Sequence, residues 1–142
     1  MAVERTLLIV KPDAVRAGNA GNIIAMLEGE GGFTVRALEM VHLSEDSAKK
    51  FYEVHAERPF YGELVEFMTS GPCIPMVLER ENAILGLREF IGATDPAEAA
   101  EGTVRKKYAG SKAENAVHAS DSPESASNEI PHFFANTAVT VG

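Results

Sequence analysis

The chain has 142 residues, enough for one domain with a sizeable core and short for two. Its net charge of −8 excludes passive binding of nucleic acid, which needs a cationic surface, so any anionic ligand must be met by a local cluster of Lys and Arg. Cys73 is the one cysteine, so neither an internal disulfide nor a thiolate metal cluster can form.

Residues 6–10, "TLLIV", form a continuous apolar, β-rich run that predicts a strand buried on both faces. "AGNAGN" (17–22) reads as a turn, and "NIIAMLEGE" (22–30) as a short helix stopped by Gly31 and Gly32. In "FTVRALEMVHL" (33–43) Phe33, Val35 and Ala37 alternate strictly. The phase then slips toward Leu38 and Met40, which points to a bulge or to a strand covered on both sides.

Ser44 before Glu45 and Asp46 is a helix start, with acids where the helix dipole favours them. Ala48, Phe51, Tyr52 and His55 follow at helical spacing until Arg58-Pro59 breaks the pattern. A second helix carries Tyr61, Leu64, Val65 and Met68, and "TSGP" (69–72) ends it. "CIPMVLE" (73–79) predicts another buried strand and "ENAILGLREFI" (81–91) a helix. From 92 to 114 the pattern fades into a loop, long enough in a small domain to suggest function or disorder. "NAVHA" (115–119) predicts a last short strand, and Ser122-Pro123 opens a final helix with a cap and a proline in its first turn. The expected architecture is a single α/β domain over 1–142, an antiparallel four-stranded sheet covered by helices of the ferredoxin-like kind.

The first residues lack the apolar core and cleavage site of a secretory signal, and no run is long enough to cross a bilayer. A soluble, cytoplasmic protein is expected. The usual phosphate motifs are absent. No glycine-rich loop ends in Gly-Lys-Ser/Thr, and the pattern begun by Gly29 and Gly31 has Thr34 where a dinucleotide fingerprint needs glycine. Asp-Phe-Gly, His-Arg-Asp and His-Cys metal spacings are missing too. What remains is His118, at a strand end beside the N-terminus of the last helix, where an anion is welcome and a neutral imidazole could accept a phosphoryl group. Equally, His118 could simply pack while Ser120, Asp121 and Ser122 cap the helix.

Four stretches resolve that choice. "NAVHASDS" (115–122) closely resembles the active-site signature of nucleoside diphosphate kinases. "ERTLLIVKPDAV", "HAERPFYGELVEFMTSGP" and "IGATDPAEAAEGTVR" resemble the same family, in the same order along nearly the whole chain. The resemblance implies a phosphotransferase in which a histidine is phosphorylated by a nucleoside triphosphate and passes the group to a diphosphate. It makes His118 the nucleophile, attacking through Nδ1. Lys11, Arg88, Thr94 and Arg105 would hold phosphates, Phe60 would stack on the base, and Asn115 with Lys11 would reach the ribose. Tyr52 would touch the imidazole, and Glu129, with Ser120, would accept its other N–H and fix the tautomer. Mg²⁺ would arrive on the nucleotide, with few or no protein ligands. The family's assembly implies a homo-oligomer built from dimers, a tetramer or a hexamer.

Three departures from the family pattern carry expectations. Ala119 replaces a common glycine, so its backbone should be ordinary. Lys106 and Lys107 add positive charge after Arg105. Pro131 lies two residues after Glu129, so a kink or early end of the last helix is expected there. Two rival functions deserve weighing. An RNA-binding or regulatory nucleotide-binding module on this fold would expose aromatics on its central strands, and "TLLIV" and "CIPMVLE" have none. A phosphohistidine relay to another protein is compatible with the same residues.

Overall fold

The computed structural model describes residues 3–134. Four strands form one antiparallel sheet in the order β2-β3-β1-β4, with β1 at Val3–Val10, β2 at Thr34–Leu38, β3 at Ile74–Glu81 and β4 at Val117–Ala119. The run "TLLIV" is apolar throughout because both sides of β1 are covered, and Leu7, Leu8, Ile9 and Val10 are fully buried. Leu8 and Val10 pack under helices α2 (Ala20–Glu28) and α5 (Ala83–Ile91). Leu7 and Ile9 point the other way, into a cluster with Ala48, Met68 and Phe134 from α3 (Glu45–Phe51), α4 (Tyr61–Met68) and α7 (Pro123–Phe134). The fold class expected from the sequence is the one observed.

Several boundaries differ, each for a local reason. Pro12 does not merely end β1 but starts a short helix, α1 (Pro12–Arg16), at the position where a missing N–H costs nothing. α2 begins two residues before the expected start, inside the segment read as a turn, and ends at Gly29. The slip in β2 is a bulge between Val35 and Ala37; Leu38 and Met40 beyond it are exposed, so the alternative of a doubly covered strand is wrong. α3, capped by the Ser44 hydroxyl on Ser47 N–H at 3.1 Å, stops at Phe51, and His55 sits on a separate 3-10 turn at Glu53–His55. β3 runs to Glu81, two residues past the expected strand end and one into the segment expected to be helical. The long loop contains a further helix, α6 (Val104–Tyr108), whose start is capped by Thr103 accepting from Lys106 N–H at 3.3 Å.

Pro131 does not end the last helix, which continues to Phe134. An interior proline costs about 3 kcal/mol. Against that, Ile130, Phe133 and Phe134 pack into the cluster under Leu7 and Ile9. Ser127, whose carbonyl loses its helical donor, lies on the exposed side where water can replace it. Ala119 has the expected ordinary backbone, in β4. Ala116 does not: the strand expected from Asn115 begins only at Val117, because Ala116 takes a left-handed φ of 72°.

Candidate active site

β4 carries His118 between Val117 and Ala119, paired with Ile9 of the central strand. The alternation of a strand sends Val117 and Ala119 into the core on the α2/α5 side and His118 to the opposite face, among the aromatic rings after α3. There the imidazole meets Phe51 edge-on, with ring centroids 5.5 Å apart, and Tyr52 at 6.3 Å. His118 Nε2 lies 2.9 Å from Glu129 Oε1 on α7, and Ser120 donates its hydroxyl to the same oxygen at 2.7 Å. A carboxylate has no proton to give, so Nε2–H is the donor and Nδ1 keeps the lone pair. Ser120 is fully buried. It holds Glu129 in place rather than touching the ring itself.

His118 lines a cavity of about 480 Å³. Lys11, Tyr52, Arg88, Thr94, Arg105, Asn115 and Glu129 line it as well, so eight of the ten residues singled out in the sequence share one cavity wall. Ser120 lies behind the wall. Phe60 lies outside the lining, 46% exposed, with its ring 5.5 Å from that of His55, which does line the cavity.

Of the three cations Lys11 and Arg105 are buried and Arg88 is exposed. Lys11, at the end of β1, is 7% exposed; its Nζ donates to Asn115 Oδ1 at 2.9 Å and sits 5.2 Å from the ring centre of Phe67. Burial pulls its pKa down to about 8, with Asp13 raising it and Arg105 lowering it further. Arg105, on α6, is 5% exposed and donates to three backbone carbonyls: Asn115 at 3.3 Å, Gly92 at 3.1 Å and Val117 at 2.8 Å. Burial, with Arg88 nearby, brings its pKa to about 10, so it stays charged at neutral pH. None of the ion pairs among the described residues involves Lys11, Arg88 or Arg105. Tyr52 is buried, which raises its pKa and keeps it a neutral phenol. Two buried cations and the exposed Arg88, none in an ion pair, around an unprotonated imidazole nitrogen can hold a polyphosphate and receive one phosphoryl group.

The sequence of the nucleoside diphosphate kinase family, taken as a family model, matches residues 4–139. A nucleoside diphosphate kinase of Chlorobium chlorochromatii is 57% identical over 137 residues, covering 96% of this chain and 97% of its own. One from Persephonella marina is 56% identical over 139 residues, covering 98% of this chain and 99% of its own. The crystal structure of the Aquifex aeolicus nucleoside diphosphate kinase superposes with a TM-score of 0.92 at 50% identity, over 95% of this chain and 97% of that one. The chain belongs to the nucleoside diphosphate kinase family. The fold persists at lower identity: the family member from Encephalitozoon cuniculi is 33% identical, with a TM-score of 0.91 over 98% of this chain and 94% of that one.

Other parts of this kinase-family site were not legible in advance. Phe51 read as one more core residue of a helix, yet its ring packs on His118 and on His132 at 5.3 Å. Asp13 gave no signal beyond its place after Pro12; its Oδ2 accepts the Ala116 N–H at 3.0 Å. Ala116 itself gave none, because alanine avoids positive φ and nothing in "NAVHA" marks a turn. Val117 N–H donates to Asn115 O at 2.8 Å across Ala116, closing a γ-turn of the rarer, strained kind with its central φ near +75°. Such a residue costs on the order of 1–3 kcal/mol. Gly92, whose φ of 91° also lies in left-handed space, is required for a second reason: a Cβ there would sit 2.6 Å from Thr103 Oγ1, at the start of the helix that carries Arg105.

Proposed function

We propose that this chain transfers the γ-phosphoryl group of a nucleoside triphosphate, mainly ATP, to a nucleoside diphosphate in two half-reactions, through a phosphohistidine on His118. One observation carries the reading. The Nε2 of His118 is tied to Glu129 at 2.9 Å, which leaves Nδ1 as the basic nitrogen in a cavity walled by Lys11, Arg88 and Arg105. In the first half-reaction Nδ1 forms a bond to the γ-phosphorus as the bond to the bridging oxygen breaks, and the nucleoside diphosphate leaves with that electron pair. The ring gains positive charge as it attacks, and the Glu129 carboxylate stabilises it. The second half-reaction runs this in reverse with a different diphosphate.

Lys11, Arg88, Thr94 and Arg105 hold the phosphates, Lys as a point charge and Arg as planar forks. Asn115 and Lys11 reach the ribose hydroxyls. Phe60, exposed at the rim beside His55, offers one face on which any base can stack, so little base selectivity is expected. Among the described residues no group of three or more His, Cys, Asp or Glu is arranged to hold a metal ion. The donor set fits Mg²⁺ carried on the nucleotide, where it neutralises charge between the phosphates. The working form is a homo-oligomer built from dimers, and the open edge of β2 with exposed Leu38 and Met40 supports this. No helix among the described residues is long and apolar enough to cross a membrane, which agrees with residence in the cytoplasm.

The test is an initial-rate study of transfer from ATP to a second diphosphate. Parallel double-reciprocal lines, with several bases used at similar efficiency, are expected. Intersecting lines would require both nucleotides bound at once and would remove the covalent intermediate.

A further inference from the structure

β4 pairs with its neighbour through only three residues, Val117, His118 and Ala119. So short a ladder specifies register weakly, and a slip of one residue would turn the His118 side chain from the aromatic face into the α2/α5 core. The strand is therefore held at its ends. At the far end Ser120 N–H donates to Leu7 O at 3.1 Å. At the near end stands the strained γ-turn at Ala116, whose carbonyl accepts from Lys11 N–H at 2.8 Å and whose N–H donates to Asp13 Oδ2 at 3.0 Å. Alanine does not hold a φ of 72° unaided, so these contacts keep it there. The second Asp13 oxygen, Oδ1, is buried and accepts no hydrogen bond among the described residues. A carboxylate with one oxygen unbonded in the interior is costly unless a cation shares the region, and Lys11 does.

We propose that Asp13 is a positioning residue of the transfer site: its carboxylate pins the Ala116 turn, which sets how Asn115 and His118 meet the cavity, and its charge supports the cation on Lys11. The inference deepens the proposed reaction and rests on His118 as the phosphoryl acceptor. Asp13 itself is not among the residues that line the cavity. A purely structural reading would make it an acid in the first turn of α1. The two readings part over Ala116, because glycine adopts a left-handed φ without being held.

Lys11 is faced by Asp13 from α1, by Arg105 from α6, by the oxygens of Asn115 and Ala113, and by the Phe67 ring from α4, which Arg16 also approaches at 5.9 Å. Of these charges Asp13 favours the ammonium form and Arg105 opposes it.

The experiment compares full-length wild type with Asp13→Ala, Asp13→Asn, Ala116→Gly and the Asp13→Ala/Ala116→Gly double variant, by kcat, KM, pH profile and melting temperature. Asp13→Ala should lose roughly tenfold to a hundredfold in kcat, the scale of an ångström-level misplacement. Adding Ala116→Gly should return most of that loss. Asp13→Asn keeps an acceptor for the Ala116 N–H, so its kcat at pH 7 should stay within a few-fold, about threefold, of wild type. Its alkaline limb in kcat/KM should move to lower pH, because the charge facing Lys11 is gone. Wild-type kcat in Asp13→Ala, no recovery in the double variant, or an unmoved limb in Asp13→Asn would each overturn the proposal. Should Asp13→Ala not fold, the Asp13→Asn profile decides alone. A His118→Ala variant separates the failures: if it still turns over, the reaction assignment falls; if it is dead while Asp13→Ala is unimpaired, only the role of Asp13 falls.

Discussion

Two clusters of charge lie on the same sheet and are built in opposite ways. Toward the β2 edge, Glu79 of β3 accepts from Arg5 at 2.9 Å and from Arg36 at 2.6 Å, and these bonds, Arg36 first, hold its carboxyl below the usual range. Beside β4, Lys11 and Arg105 are buried and donate to amide and carbonyl oxygens, with no acid paired to either. In the first cluster both arginines are paired to one carboxylate within the fold. In the second, Asp13 faces Lys11 without an ion pair and Arg105 has no paired acid, so positive charge is left over beside a cavity, a cost the fold carries when an anion is to complete the set. In a molecule of net charge −8, that contrast supports the cavity beside β4 as the proposed phosphate site.

Removing the unpaired side should be felt in function. Arg105→Ala should cost about 1.5–3 kcal/mol in kcat/KM, the range for hydrogen bonds to charged groups. It also frees the carbonyls of Asn115 and Val117 that flank the strained turn, so kcat should fall together with affinity. Lys106→Ala and Lys107→Ala, at exposed neighbours on the same helix, should each cost much less. Equal losses at all three would put the phosphate site elsewhere along this loop and erase the contrast.

Glu129→Gln keeps the shape beside His118 and removes the charge. We expect turnover to fall roughly ten- to a hundredfold, about 1.4–2.7 kcal/mol of barrier. Nucleotide affinity should hardly change, because the contact strengthens only as the ring becomes positive. Steady-state kinetics would show a kcat loss at constant KM; a silent substitution would remove Glu129 from the mechanism.

How much of this was legible in the sequence depends on what each residue type can announce. The doubly buried β1, the Ser44 cap, the bulge in β2 and the start of α7 were legible because period, cap and proline each have a local cause. α6 was hidden inside an apparent loop because its single turn and a half gives no periodicity, only a Thr103 cap. Of the kink or early end expected at Pro131, the early end does not occur within the described residues, because local propensity counted the cost of the proline and could not count the packing of Phe133 and Phe134. His118 stood out from its local context, and its role and the cations were named from the family resemblance. What brings them together, the turn at Ala116 and its hold by Asp13, depends on a backbone conformation that alanine does not signal.

The buried cation also carries a pH dependence. Lys11 must be an ammonium to hold phosphate, and burial lowers its pKa from 10.5 to about 8. Activity measured as kcat/KM, which reports the free enzyme, should therefore decline as pH rises through about 8. The sign for stability is opposite. Between about 8 and 10.5 the unfolded chain binds a proton at this site that the folded chain has released, so this group makes the fold more stable as pH rises there. A kcat/KM flat to pH 10, taken as an order-of-magnitude bound on an ordinary lysine, would mean that Lys11 is not desolvated in solution.

The paired cluster should give the smallest functional effect. Glu79→Gln should lower the melting temperature at neutral pH and leave kcat unchanged. Because the Glu79 carboxyl is held low in the fold, its contribution is present above the ordinary carboxylate range and lost as pH falls below it, so wild type and variant should converge in acid. A change in kcat would show that the two clusters are coupled across the sheet.

The most direct test of the central claim is to incubate the protein with Mg-ATP and no acceptor and to locate the label. One phosphate per chain is expected, on His118, lost in acid and retained in alkali, and transferred to an added nucleoside diphosphate. A label that survives acid, on Ser120 or Ser122, or one that no diphosphate can remove, would contradict it.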